Sequence, residues 1–486
     1  MNLEKRVTHQ RKQEKKFIVT ELTFWNVWGV MQVQLYKHQQ SALKSTEKYN
    51  RCAYYLDMGL GKTYVGSEKM HQLNAKVNLI VCQKSKVNDW VIHMIQNYAM
   101  NHGWIVYDLT KKEDLQMFMR AVDLNGDHDP IVGVINYDLL YRRPYFSHMT
   151  GFTLMLDESS IIQNETAKRT EFILKMQPDN VILLSGTPTA GKYERLWSQL
   201  QLLGWGISKK LYYKQYVEQE WIGDKASGFG IPIITGYKNV ERLKQKLAEH
   251  GAIFMKSEEA FDLPAQQDIT IKLSTTKEYR KFMKDRVITV DTKNLCEFKD
   301  DSDYYGRDTT PRVQLIGDTS LTERLYARQL CGQYSRAKLE AFRDVLESTN
   351  DRLIVFYNFK EELNKLEQIA KQYTDHISTV NGELKDLAAY DQYEDSITFV
   401  QYQAGAMGLN LQKANKIVYF TLTDKSELFE QSKKRIHRIG QEKPCFYYYL
   451  MCKGSVEENI LETLKLRRDY TDALFEKYTS ESSGSC

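Results

Sequence analysis

Three short stretches of this 486-residue chain hold side chains whose types and spacing could handle a nucleoside triphosphate. The first is Asp57-Met58-Gly59-Leu60-Gly61-Lys62-Thr63, which follows the apolar run Ala53–Leu56. Its glycines let the backbone approach phosphate, and a helix opening after them would aim its N-terminal amides at the anion. Lys62 can reach the β- and γ-phosphates, and the Thr63 hydroxyl can ligate Mg²⁺. The full phosphate-loop pattern also has a glycine five residues before Gly61, where this chain has Leu56. Alone, G-x-G-K-T is only moderately specific, its bland alternative being a glycine-rich turn capped by a helix. The second stretch is Asp157-Glu158-Ser159-Ser160. Asp157 can hold a metal through water, and Glu158 can orient and deprotonate an attacking water. Its bland alternative is an exposed acidic turn. The third runs from Gln431 to Gln441 and carries Arg435 and Arg438, which would share a face on a helix and could point across a cleft. Arginines supplied from a second domain to a γ-phosphate are worth about 10³–10⁵ in rate. The same residues would also suit a basic helix in solvent or on a phosphate backbone.

These groups need elements to position them. Apolar runs of strand length occur at Leu79–Cys82, Ile131–Ile135, Phe152–Leu156 and Val181–Leu184, separated by helix-like polar stretches. Runs without polar alternation fit strands buried on both faces, hence a parallel sheet covered by helices with ligands at the strands' carboxyl ends. Asp157 and Glu158 fall at one such end, and Ser185-Gly186-Thr187-Pro188 at another. Upstream, L-Y-K-H-Q at 35–39 opens a short amphipathic helix. There Gln39 has an amide suited to an adenine edge and Tyr36 a ring that could stack on the base. A second α/β pattern follows, with strands expected at Leu353–Tyr357, Ile397–Tyr402, Ile417–Phe420 and Phe446–Met451 and no second phosphate loop. It includes the motif A-G-A-M-G-L-N-L at 404–411, where Gly408 and Asn410 are candidate nucleotide contacts alongside Met58, Gly59, Leu60 and Gly61. Ser455-Val456-Glu457-Glu458 reads as a capping box for a final helix closing this lobe.

The expected organisation is a basic arm over 1–32 and a first lobe over 33–256 with a helical insertion at about 204–250. A helical linker insertion follows over 257–334, then a second lobe over 335–470 and a tail over 471–486. Residues 1–16 hold six basic and two acidic side chains; the rest carries 61 of each sign, so any nucleic-acid affinity of the body must come from local patches. No apolar run approaches the roughly 18 residues a bilayer span needs, and no secretory signal is expected. Seven cysteines without a C-x-x-C pair point to reduced thiols in a cytosol-like compartment.

Taken in order, these stretches resemble the superfamily 2 helicase-type ATPases and, more narrowly, the Swi/Snf-like DNA translocases of compact bacterial and phage type. L-Y-K-H-Q (35–39), D-M-G-L-G-K-T (57–63), D-E-S-S-I-I-Q-N (157–164), L-L-S-G-T-P-T (183–189) and A-G-A-M-G-L-N-L (404–411) carry the resemblance, with Q-S-K-K-R-I-H-R-I-G-Q at 431–441. The loop wording is typical of that family and accounts for Leu56. The resemblance implies α/β architecture: two RecA-like doubly wound parallel-sheet lobes with helical insertions between them. It implies ATP and Mg²⁺ as cofactors, with Thr63 and Asp157 at the metal. Lys62, Asp157, Glu158, Arg435 and Arg438 would be catalytic, and Gln39 would read adenine. The implied partner is DNA, mainly duplex, with no membrane. The implied activity is DNA-stimulated ATP hydrolysis that drives tracking, in bacterial or phage-infected cytoplasm or in a nucleus. An RNA- or single-strand-stimulated helicase and a non-catalytic scaffold with a relic nucleotide site stay open as alternatives. Two departures stand out. D-E-S-S replaces the family's D-E-A-H or D-E-G-H, and Val400-Gln401-Tyr402-Gln403 replaces its Ser-Thr, where a tyrosine could stack or wedge against nucleic acid.

Overall fold

A computed structural model describes residues 34–124, 129–222, 231–291, 312–405 and 409–475. Helix α1 (Lys37–Ser45) leads to β1 (Arg51–Leu56), and α2 (Lys62–Leu73) starts directly after the glycine loop. The alternation continues through β2 (Val77–Cys82), α3 (Val87–Met94), β3 (Ile105–Asp108), β4 (Ile131–Asn136), β5 (Phe152–Asp157) and β6 (Asn180–Ser185). A hairpin, β7 (Val217–Ile222) and β8 (Ile231–Tyr237), precedes β9 (Ala252–Met255). The first sheet has the order β3-β4-β2-β5-β6-β1-β9 and is parallel throughout. Every residue of β2 and β4 is buried, as their unbroken apolar character requires of strands covered on both faces.

The strand order does the positioning. β5, β6 and β1 are neighbours, so their carboxyl ends deliver Asp157-Glu158, the Ser185-Gly186-Thr187 turn and the glycine loop side by side. Residues more than a hundred positions apart in sequence thereby line one crevice at the sheet edge.

The second sheet has the order β10-β17-β16-β13-β15-β14, also parallel. Its strands are β10 (Gln266–Leu273), β13 (Leu353–Tyr357), β14 (Ile377–Val380), β15 (Ile397–Gln401), β16 (Lys416–Tyr419) and β17 (Cys445–Cys452). Between β10 and β13 lie α4 (Lys277–Asp285), the hairpin β11 (Val287–Asp291) and β12 (Arg312–Ile316), and α5 (Ser320–Cys331). Helix α6 (Ser426–Lys433) precedes β17, and α7 (Val456–Phe475) ends the described chain.

Three expectations about organisation change. The second lobe begins earlier than residue 335, because Gln266–Leu273 pairs along its full length with β17. The insertion at about 204–250 is not all helical, since it contains the β7–β8 hairpin. Helix α7 does more than close the second lobe, and residues 471–475 belong to it and not to a tail. Ile460, Leu461 and Leu464 pack in the second lobe's core, while Leu474 and Phe475 enter the core of the first. On the way, the Tyr470 carbonyl accepts from the Tyr193 hydroxyl at 2.6 Å. A Cβ at Gly191 would lie 2.2 Å from the Arg467 carbonyl oxygen, so only glycine lets helix and loop meet there. Truncating Leu474 to Ala should destabilise the first lobe by about 2–5 kcal/mol, read as a lowered urea midpoint. An unchanged midpoint would reject α7 as a strap across both lobes.

Candidate nucleotide site between the lobes

The glycine loop is held by its own backbone conformation and by Gln39. Gly59 and Gly61 have φ of 89° and 73°, conformations that glycine adopts without steric cost. A Cβ on Gly61 would also lie 2.2 Å from Gln39 Nε2. Gln39, only 3% exposed, donates from Nε2 to the Leu60 carbonyl at 3.1 Å and accepts the Tyr36 amide on Oε1 at 2.9 Å. Both ends of its amide are thus engaged by the chain, and in this structure Gln39 braces the loop instead of presenting an open edge to a base. Tyr36 is 59% exposed and stacks with His38, and both rings meet Phe261 edge-on. Sequence reasoning missed His38 and Phe261. His38 adjoins Gln39 in the motif, whereas Phe261 reaches the cluster only through the fold.

The carboxylates follow. Lys62 Nζ donates to the Leu56 carbonyl at 3.0 Å and lies under the Ser-Gly-Thr turn, where a Cβ on Gly186 would be 3.2 Å away. Glu158 holds φ 53°, a left-handed backbone that is strained for a non-glycine residue and clusters at functional sites. Burial pushes its carboxyl up to about 7; Lys62 and Arg435 oppose the shift, while Asp157 and Glu427 add to it. Burial also raises Asp157, against the indole N–H of Trp90, which donates to Oδ2 at 2.8 Å. The Tyr137 hydroxyl donates to the Asp157 carbonyl at 2.9 Å. Ser160, which stands where the family pattern has histidine, donates to Glu427 of α6 in the other lobe at 3.4 Å.

The arginines arrive differently from the expectation. Helix α6 stops at Lys433, so Arg435 and Arg438 sit on the turn beyond it and not on one helical face. Tertiary bonds take over there. The Arg435 carbonyl accepts the Leu411 amide at 3.2 Å, the Tyr447 hydroxyl donates to the Lys433 carbonyl at 3.2 Å, and Gln441 Nε2 donates to the Ala414 carbonyl at 2.7 Å. Both arginines still face the first lobe. Arg435 is 2% exposed, donates from Nη1 to the Leu409 carbonyl at 3.2 Å and acts electrostatically on Glu158. Burial, then Arg438, lowers its guanidinium to about 10. The Cβ of Arg438 would be 3.8 Å from a Cβ on Gly59, beside the glycine loop itself. Asn410 is exposed on the same loop segment as Leu409, and Gly408 lies outside the described residues. Tyr402 is no nucleic-acid wedge. It is buried against Phe356 and Tyr419, and its hydroxyl donates to the Thr421 carbonyl at 3.1 Å, so its aromatic bulk serves the second core.

Lys434, immediately before Arg435, also reaches across to the first lobe. Its ammonium lies 2.7 Å from Asp57 Oδ2 and 3.4 Å from Glu258. Burial alone would raise Asp57, but Lys434 and the Met58 amide outweigh it and hold the carboxylate below its ordinary value. Ser257 Oγ donates to the same Asp57 oxygen at 3.1 Å. Lys434 lies inside the 431–441 motif, but only the arginines there drew a role from the sequence.

The crevice fits a triphosphate with a divalent cation. Buried atoms around it lack hydrogen-bond partners, namely Glu158 Oε2, Thr187 Oγ1, Arg435 Nε and Arg438 Nε. Such groups are costly unless something polar engages them. Two parallel lobes, with a phosphate loop on one and arginines of the other turned toward it, define the helicase-type ATPase architecture. The model of the SNF2-related domain matches residues 33–331 and that of the helicase conserved C-terminal domain residues 337–440. The chain belongs to the SNF2-related family. It is 22% identical to chromodomain-helicase-DNA-binding protein 1 of Gallus gallus, over 93% of this chain and 27% of that protein. With the putative ATP-dependent helicase/translocase YwqA of Bacillus subtilis it shares 22% identity over 86% of this chain and 46% of that protein. It therefore spans less than half the length of these curated relatives. The Sulfolobus solfataricus SWI2/SNF2 ATPase core in complex with dsDNA is similar at 18% identity and a TM-score of 0.41, covering 93% of this chain and 96% of that one.

Asp57→Asn leaves a mostly buried ammonium with Glu258 alone, so it should lower unfolding stability by roughly 3 kcal/mol. A denaturation midpoint equal to that of the native chain would show that the Lys434 contact contributes nothing.

Proposed function

We propose that this chain hydrolyses ATP in the cleft between its lobes and uses the cycle to track along duplex DNA. The observation that carries this is the approach of Arg435 to Glu158 and of Arg438 to Gly59 from the opposite lobe. In this reading Tyr36, with His38 and Phe261 behind it, offers a face to the adenine, while the loop amides and Lys62 hold the phosphates. Thr63 and Asp157 would hold Mg²⁺, which when bound offsets phosphate charge and orients the reacting oxygens. Glu158 accepts the proton of the attacking water at its unpartnered Oε2. Arg435 and Arg438 stabilise charge on the transferring phosphoryl group only while the lobes are closed. Hydrolysis splits the γ-phosphate from ADP, and its release removes the anion that both lobes grip, so the cleft reopens; repeated closure would ratchet the lobes along DNA. The membership of the family favours duplex DNA over RNA, and a DNA-bearing compartment, cytoplasm or nucleus, as the site of action.

Lys62→Ala and Glu158→Gln should each abolish DNA-stimulated turnover while the proteins stay folded; near-normal rates in either would sink the mechanism. Turnover measured with duplex DNA, single-stranded DNA and RNA should be highest with duplex, and RNA preference would reject that substrate. Glu158 works as a base only when ionised, and its pKa of about 7 lies above the ordinary 4.5. The kcat/KM should accordingly climb as pH rises through about 7, since this ratio reports groups of the free enzyme. A profile that is flat there would remove Glu158 from the role.

A further inference from the structure

Helix α4 lies outside every motif that builds the nucleotide site. Its sequence K-E-Y-R-K-F-M-K-D divides sharply by face. Tyr279 and Phe282 are buried against Ile288, Leu315 and Leu330 in the small core of the insertion. On the opposite face Lys277, Arg280, Lys281 and Lys284 are all exposed, at the spacings that align side chains along one side of a helix. Among the described residues no carboxylate forms an ion pair with any of the four, and Arg280 Nε reaches only the Thr276 carbonyl, at 3.5 Å. The helix's own acids, Glu278 and Asp285, fall on one flank of this crest. By contrast, Arg286 at the end of the helix pairs with Glu323.

We infer that this crest is a phosphate-binding surface for duplex DNA, separate from the nucleotide cleft. The inference rests on the DNA-tracking reading above. Beyond residue 16 the chain carries equal numbers of acidic and basic side chains, so a local segregation of cations supplies attraction that overall charge does not. From Lys277 to Lys284 the crest is roughly 10 Å long at the rise of a helix. Duplex DNA carries about one charge per 1.7 Å of axis counted over both strands, so such a length spans about three phosphates of each strand. The crest has no exposed aromatic side chain to stack on a base, and lysines serve as point charges. It should therefore position the duplex without reading its sequence. Its place suits a motor: α4 leaves the carboxyl end of β10, the same end of the second sheet from which the chain passes beyond β16 to α6 and the arginine turn. Contacts there would hold the second lobe on DNA through the part of the cycle in which the cleft is open.

The test replaces Lys277, Arg280, Lys281 and Lys284 together by Gln and measures binding to a labelled duplex of arbitrary sequence across a range of salt. Each lost phosphate contact removes about 0.9 from the slope of log K against log salt, so the slope should shrink by about 3 to 4 and low-salt affinity should fall roughly tenfold or more. The loss should be the same on duplexes of different sequence. A variant with the same charge change elsewhere, at the exposed Lys112, Lys175, Lys371 and Lys385, should keep the native slope. The version carrying Lys277→Arg, Lys281→Arg and Lys284→Arg should keep it too. Equal thermal midpoints establish that all three are folded. If the native chain binds duplex DNA and is stimulated by it, yet the α4 variant matches the charge-matched control, the crest is a solvated face or serves an acidic protein partner and the inference falls alone. If the native chain neither binds nor responds to DNA, the tracking reading fails and takes this one with it.

Discussion

Lys434 lies 2.7 Å from Asp57, and that ion pair joins the first residue of the glycine loop to the residue just before Arg435. The geometry of the cleft depends on it. The arginines belong to one lobe and the phosphate loop to the other, so their alignment is only as good as the contact that fixes the lobes. Being mostly shielded from water, the pair is little weakened by salt compared with an exposed one. It also couples directly to the nucleotide elements, because the Met58 amide donates to Asp57 at 3.0 Å. A shift of the arginine turn is therefore felt in the backbone that would hold phosphate.

Most of the architecture was legible because buried parallel strands announce themselves. β13, L-I-V-F-Y, matches its expected limits, and β2, β4, β5, β6, β15, β16 and β17 differ from theirs by a residue or two at an end. The missed strands are sheet edges or free hairpins. β3, β9, β10 and β14 each have one strand neighbour or none beyond it, and β10 reads Q-Q-D-I-T-I-K-L with its polar residues exposed. An edge strand needs no apolar run, and alternation over so short a length also fits a loop.

The site was legible in its residue types more than in its geometry. Lys62, Asp157 and Glu158 stand where a strand-end reading puts them, since strand order alone carries them together. The helical face expected for Arg435 and Arg438 failed because nothing in K-K-R-I-H-R breaks a helix. At the stop, Leu411 and Tyr447 claim the Arg435 and Lys433 carbonyls from other parts of the chain, and Gln441 ties the turn to Ala414. Tyr402 illustrates the same limit. Its motif position suggested nucleic acid, but Phe356 and Tyr419 supply an aromatic pocket that one-dimensional reading has no means to foresee.

Helix α7 sets the kind of motion that remains. Its 20 residues are rooted in both cores, in the second lobe through Ile460 and in the first through Phe475. A helix resists stretching, so the lobes cannot be drawn apart along it without pulling a side chain from one core. They can still turn about it. If the lobes close on nucleotide as proposed, a strap of this kind would leave turning about the helix as the easier motion and separation along it as the harder one.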